Sequence, residues 1–237
     1  MQRLRGRVYL KDGAIQPCEL DDDGRFRMQG DEQSWHLLLT DGDREVIGCA
    51  RYLVHPNTVA FHNLRVSHSA LAKDPVWGGR VRQAVESELA LARQRKFAYL
   101  EIGGLALTEE WRGTRAALEI LVSSYALAQI WGGCLGSCTA TVRHGSSSML
   151  RRIGGESLTA NGQELPSYED SLYGCRMELL RFDCLKPAVR FLPLISQLRA
   201  KLCDMVATKA RPTPEWHTVP YDLGSRLNLL RMAPLYN

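Results

Sequence analysis

The sequence predicts a single α/β domain, a mixed central sheet flanked by helices, with an added C-terminal helix and tail. Three observations predict it. Strand-like apolar runs alternate with amphipathic stretches of helical period along most of the chain. Two β-rich runs flank an Asp-Gly turn and read as a hairpin. A third strand runs through a polar loop straight into the clearest helix of the chain.

Taken in order, residues 1–33 are charged and punctuated by glycine, with a turn at Asp21-Asp22-Asp23-Gly24 and a short strand expected over 7–10. The hairpin pairs 35–39 with 45–54 around Asp41-Gly42-Asp43. Val81, Ala84, Val85, Leu89 and Ala92 share one face of a helix over 78–96. A strand is expected over 97–107, and its adjacent Gly103 and Gly104 point to a bulge or a close approach of a ligand or backbone. Leu118, Leu121, Val122 and Tyr125 define a helix over 114–131, stopped by Gly132-Gly133. A short strand over 138–142, a serine-opened helix over 146–153 closed by Gly154-Gly155, and a strand over 175–182 follow. A long amphipathic helix over 187–207 carries Ala188, Phe191, Leu192, Ile195 and Leu202 on one side. From Arg211 the chain is proline-rich and reads as an irregular tail on the surface. The expected divisions are an N-terminal arm and first strand (1–34), a core (35–184), and a C-terminal helix and tail (185–237).

With 237 residues, 45% apolar and 24% charged, the chain can bury a core and is not dominated by disorder. Its longest apolar stretch, 116–131, is interrupted by Glu119, Ser123, Ser124 and Gln129, which excludes a membrane span there. No secretory signal is expected from the basic N-terminus, and a cytoplasmic location is expected. The net charge of +4 comes without long like-charge runs or aromatic–basic interleaving, so no nucleic-acid partner is expected. Seven cysteines (18, 49, 134, 138, 175, 184 and 203) lack paired CxxC spacing, so no metal site is expected. They read as reduced thiols, mostly packed as small apolar groups.

Ten of the twenty glycines lie between Gly103 and Gly162, which directs attention to that stretch. Its strand–loop–helix suits an anion, because backbone N–H groups at a helix start lack partners and the dipole favours negative charge. Arg112 and Arg115 would add positive charge there, although a plain turn bearing surface arginines has the same pattern.

The loop Arg112-Gly113-Thr114-Arg115-Ala116-Ala117 resembles the [RQ]-x-x-G-x-[GA] segment of the GNAT acyltransferase superfamily, with Arg112 and Ala117 matching and Arg115 in place of glycine. The run from Arg143 to Gly155 echoes a second family pattern, with Arg143 at its asparagine and Leu150 at its tyrosine. VIGCARYL (46–53) and YLEIGGLAL (99–107) resemble two strands of acyl-homoserine-lactone synthases, with Arg51 and Glu101 on that family's arginine and glutamate. The N-terminal arm of those synthases is not recognisable in residues 1–33. GGLALTEEWRGT, TATVRHGSSSMLRRIGG and YGCRMELLRFD look more like the long-chain N-acyl amino acid synthases, over residues 35–184.

The resemblance implies an N-acyltransferase that moves a long fatty acyl group from an acyl carrier protein or CoA thioester to the α-amine of an amino acid. No tightly bound cofactor is implied; the acyl-phosphopantetheine is a substrate. Leu105, Ala106 and Leu107, with Arg112, Gly113, Thr114, Arg115 and Ala116, are the expected contacts of that arm. Glu101 is the candidate base, directly or through a water, and an ion pair with Arg51 or Arg143 is its structural alternative. Arg51 and Ser146 are the expected acceptor contacts, a guanidinium fork suiting a carboxylate. Arg143 and His144 would hold the acceptor or the developing charge. The family's tyrosine, which protonates the leaving thiolate, is absent from the Leu150 position. Expected partners are the carrier protein and an amino acid. Arg190, Arg199 and Lys201 of the C-terminal helix suit an acidic carrier, and a lipid product would bring peripheral membrane contact. Two other readings stand: an N-acetyltransferase using acetyl-CoA, and a non-catalytic acyl-binding module. A deep apolar tunnel behind the Glu101 strand would favour the long-chain reading, and a short closed pocket the acetyl one.

Overall fold

Nine strands of the described residues form one sheet in the order β10-β11-β1-β2-β3-β4-β9-β5, with β8 added on β9. The structure, a computed structural model, describes residues 1–143, 145–171, 173–205, 208–210 and 227–232. In chain order the elements are α1 (Gln2–Lys11), β1 (Trp35–Thr40), β2 (Val46–His55), α2 (Ala70–Lys73), α3 (Gly78–Arg95), β3 (Ala98–Leu107), α4 (Arg115–Ile130), β4 (Cys134–Thr141) and α5 (Ser146–Ile153). Then come β5 (Glu156–Ser157), β6 (Thr159–Ala160), β7 (Gln163–Glu164), β8 (Tyr168–Asp170), β9 (Cys175–Asp183), α6 (Leu192–Cys203), β10 (Thr208–Ala210) and β11 (Leu227–Met232).

The expected mixed sheet is present: β1/β2, β2/β3 and β4/β9 are antiparallel, and β3/β4 is parallel. Alternation along the strands separates two cores. Tyr52 and Leu100 pack with α4 and α6 on one face. Tyr99 and Leu135 pack with α3 on the other, through the apolar stripe the sequence displays. Helix α4 is buried almost all round, because α6 covers the side that the sheet does not.

Four expectations need correction. The arm does not form a strand over 7–10; α1 places Leu4 and Val8 one turn apart against Cys49 and Ala106. Strand β4 begins four residues earlier than expected, at Cys134, where a Cβ on Gly136 would stand only 1.9 Å from the Leu100 carbonyl. The C-terminal helix is shorter than 187–207. It starts at Leu192, after a separate turn at Val189–Phe191, because Pro193 has no N–H and is tolerated only in the first turn of a helix. Leu192 is consequently exposed, while Ile195, Leu198 and Leu202 carry the packing. The tail is not wholly irregular, since β11 pairs antiparallel with β1 and covers a sheet edge that would otherwise be open. The rest of the expected tail lies outside the described residues. All seven cysteines are free, and five are buried.

Candidate active site

The pairing of β3 with β4 runs from Ala98↔Cys134 to Glu101↔Ser137 and stops there, although both strands continue. Beyond that point they part, and a cavity of about 150 Å³ opens between Ile102–Leu105 and Cys138–Thr141. It passes through the sheet. Leu121 of α4 and Leu150 of α5 close it on one face, and Arg51, Arg65, Glu101 and Tyr173 line it on the other.

A bulge shapes the same place. Cys49 faces Ala106 and Arg51 faces Gly103, so β3 carries one extra residue between them. Gly104 takes φ +60°, and a Cβ there would lie 3.0 Å from Arg51 Cβ and 3.2 Å from Arg5 Nη1. The glycine pair therefore marks both a bulge and a close approach, the latter to two arginines.

Glu101 is buried on the face shared with Tyr99 and Gly103. Its Oε1 accepts from the backbone N–H of Arg65 at 2.7 Å and of Val66 at 3.4 Å. Its Oε2 meets His55 Nε2 at 2.9 Å. The cross-sheet partner is thus His55, two residues past Leu53, which pairs with Glu101 across the strands. Sequence reasoning missed His55 and Arg65. HPNTVAFHNLR has no repeat or motif, and only the path of this loop over the sheet brings its N–H groups to the carboxylate.

Arg51 is not a solvated strand-edge arginine; only 1% of it is exposed. It donates from Nη1 to the Gln29 carbonyl at 2.8 Å and stands 3.6 Å from Asp31 Oδ1. Burial pushes its guanidinium down to about 10, and the neighbouring Arg65 charge acts in the same direction. Asp31 is held by the arm. Arg5 reaches both its carboxylate oxygens, and Gln2 Nε2 and the Met28 N–H donate to it at 3.1 Å each. Burial alone would raise the Asp31 carboxyl, but the bonds and charge of Arg5 outweigh it and hold it below its ordinary value. His36 Nε2 lies 2.9 Å from the Asp31 carbonyl, and burial pushes the imidazole down to about 4.

Of the expected donor residues only Leu105 lines the cavity. Ala106 and Leu107 are buried on β3. Arg112 grips Asp12 with both terminal nitrogens, at 3.1 and 2.7 Å, so its charge is already matched. Gly113 has φ +72°. Thr114 precedes α4, but its hydroxyl donates to the Trp111 carbonyl at 2.8 Å and leaves the helix start without a side-chain cap. Arg115 turns outward to Glu119 at 2.9 Å, and Ala116 is buried. Ser146 lines the cavity and lies 3.4 Å from the Thr141 hydroxyl. Arg143 is exposed and donates to the Asp12 carbonyl at 2.7 Å. His144 lies outside the described residues. Among the described residues no cluster of His, Cys, Asp and Glu could hold a metal, and no helix is long and apolar enough to cross a membrane.

The chain shares its GNAT-like fold with a solved acyl-homoserine lactone synthase. The CoA-dependent acyl-homoserine lactone synthase BjaI, solved with SAM and isopentyl-CoA, superposes with a TM-score of 0.53 at 14% identity, over 84% of this chain and 80% of its own. FeeM, an N-acyl amino acid synthase from uncultured soil microbes, matches with a TM-score of 0.47 at 13% identity, over 78% and 88% of the two chains. The AHL synthase LasI gives 0.45 at 16% identity, over 78% and 81%. No family model matches the sequence, and no curated relative matches it.

Proposed function

We propose that this protein is an N-acyltransferase that moves an acyl group from a phosphopantetheine thioester, on acyl carrier protein or CoA, to the α-amine of an amino acid. The observation that carries this reading is the cavity through the sheet, apolar at the α4/α5 face and charged at the Arg51/Glu101 face. The donor occupies the parted edge of β3, with Leu105, Ala106 and Leu107 beside the arm and Arg112, Gly113, Thr114, Arg115 and Ala116 near its phosphate end. The amine arrives from the charged face and attacks the thioester carbonyl. Its proton passes to Glu101, directly or through a water, and His55 at 2.9 Å offers a route onward. The bulged edge of β3 supplies backbone donors to the oxyanion. Arg51 and Ser146 orient the acceptor, and Arg143 and His144 are assigned to the developing charge or the acceptor carboxylate. Leu150 offers no proton, so the thiolate leaves to solvent.

One observation favours a second reading of the donor. A volume of about 150 Å³ matches a cavity that admits a single benzene ring, so it suits a short acyl group or the reactive end of a long one. Thiol release from acyl-CoA and acyl carrier protein loaded with two, six or sixteen carbons, in an amino acid pool, separates the readings. N-acyl products identified by mass would support the proposal. Consumption of acetyl-CoA alone overturns the long-chain donor, and consumption of none overturns acyl transfer. Glu101→Gln should lower turnover by about 10²–10⁴-fold, the usual contribution of a positioned base, with the fold retained.

A further inference from the structure

Arg65 belongs to none of the motifs, yet its side chain lines the cavity beside Arg51. Each of these guanidiniums carries a nitrogen that is buried and has no hydrogen-bond partner, Nε on Arg51 and Nη1 on Arg65. Buried donors of this kind are nearly always satisfied in native proteins, and leaving one unmade is costly, most of all on a charged group. The carboxylates along the same walls do not satisfy them. Glu101 is taken up by two backbone N–H groups and His55, and Asp12 by the fork of Arg112. Asp31, 3.6 Å from Arg51, spends both oxygens on Arg5. The charged end of the cavity therefore holds two cations with donors left over.

We propose that Arg51 and Arg65 together form a seat for the carboxylate of the acceptor, and that Arg65 selects anionic acceptors over neutral ones. The inference rests on the acyltransferase reading and deepens it. A carboxylate has two oxygens and about four lone-pair sites, so it can take a donor from each guanidinium at once. Seated there, the acceptor has its carboxylate on the same face as Glu101, and its amine is one carbon away from the carboxylate carbon. The path of the loop explains the pairing. The Arg65 N–H is fixed on Glu101, so the residue that anchors the candidate base also presents the second guanidinium.

The test compares N-hexanoylglycine, which contains the part common to every N-acyl α-amino acid, with N-hexanoylglycinamide, its neutral counterpart. Binding of each to the full chain is measured by titration calorimetry, with S-hexanoyl-pantetheine as a separate donor probe. The acid should bind about ten- to a hundredfold more tightly than the amide, the range expected for hydrogen bonds to charged groups. Arg65→Gln should erase most of that preference, and Arg65→Lys, which keeps the charge but not the fork, should retain part of it. Arg65 is chosen because Arg51 is tied into the arm and its loss threatens the fold. Equal binding of acid and amide, with the thioester still bound, overturns the seat and leaves acyl transfer standing. An undiminished preference in folded Arg65→Gln overturns the role of Arg65. Failure of all three probes to bind overturns the acyltransferase reading and the seat with it.

Discussion

Asp31→Asn removes one negative charge from a place where two guanidiniums depend on it. Arg5, fully buried, spends two nitrogens on this carboxylate, and Arg51 stands 3.6 Å away with little other compensation. Asparagine is nearly the same size, so no cavity arises and packing is unchanged. Its one acceptor oxygen can still take the Met28 N–H and one Arg5 nitrogen, but its NH₂ would face the other Arg5 nitrogen. Breaking a buried pair by removing one partner costs about 3–5 kcal/mol. For a chain of this size each kcal/mol lowers Tm by about 2–4 °C, so the variant should melt about 6–20 °C below the parent. Thermal melts and urea denaturation, followed by far-ultraviolet circular dichroism and by tryptophan fluorescence, measure the two quantities. Arg5→Met combined with Asp31→Asn should recover part of the loss, since the Arg5 guanidinium is then no longer left stranded. A shift below about 1 kcal/mol for Asp31→Asn alone would refute the claim that the arm is locked by this charge.

Two further perturbations act on the same region. Gly104→Ala should destabilise by about 2–4 kcal/mol in urea titrations, because φ +60° disfavours a Cβ and the nearest heavy atom is Arg51 Cβ at 3.0 Å. His36 is neutral in the folded chain, with a value pushed to about 4 by burial against an ordinary 6.5. The unfolded chain therefore binds the proton first. Stability is complete above pH 6.5 and falls between 6.5 and 4 by at most about 1.4 kcal/mol per pH unit, about 3 kcal/mol in all. His36→Gln should flatten that part of the stability curve, and an unchanged acid limb would count against a neutral buried imidazole.

Much of the fold could be read from the sequence where one period dominated. The stripe of α3 and the hairpin turn at Asp41-Gly42 are strictly local signals, and both are present. The arm misled because Arg7-Val8-Tyr9-Leu10 alternates like a strand, while the contacts that make it helical, Leu4 and Val8 on Cys49 and Ala106, are distant in sequence. Strand β11 needed knowledge that β1 has an open edge. At the site, Gly103-Gly104 announced the bulge, and Glu101 and Arg51 stand on the strands where they were expected. Their partners were illegible. Asp31 comes from the arm and His55 and Arg65 from the two ends of one loop, none of them in a motif, and Glu101 meets backbone N–H groups, which no side-chain pattern records.

The opening between β3 and β4 also bears on the order of events. Because its lining comes from both faces of the sheet, its apolar and charged ends can each take an occupant of their own under the proposed reaction. The donor and acceptor would be held at the same time and would meet within the thickness of the sheet. Initial-rate plots against both substrates would then intersect instead of running parallel, and a competitive analogue of one substrate would leave the binding of the other intact.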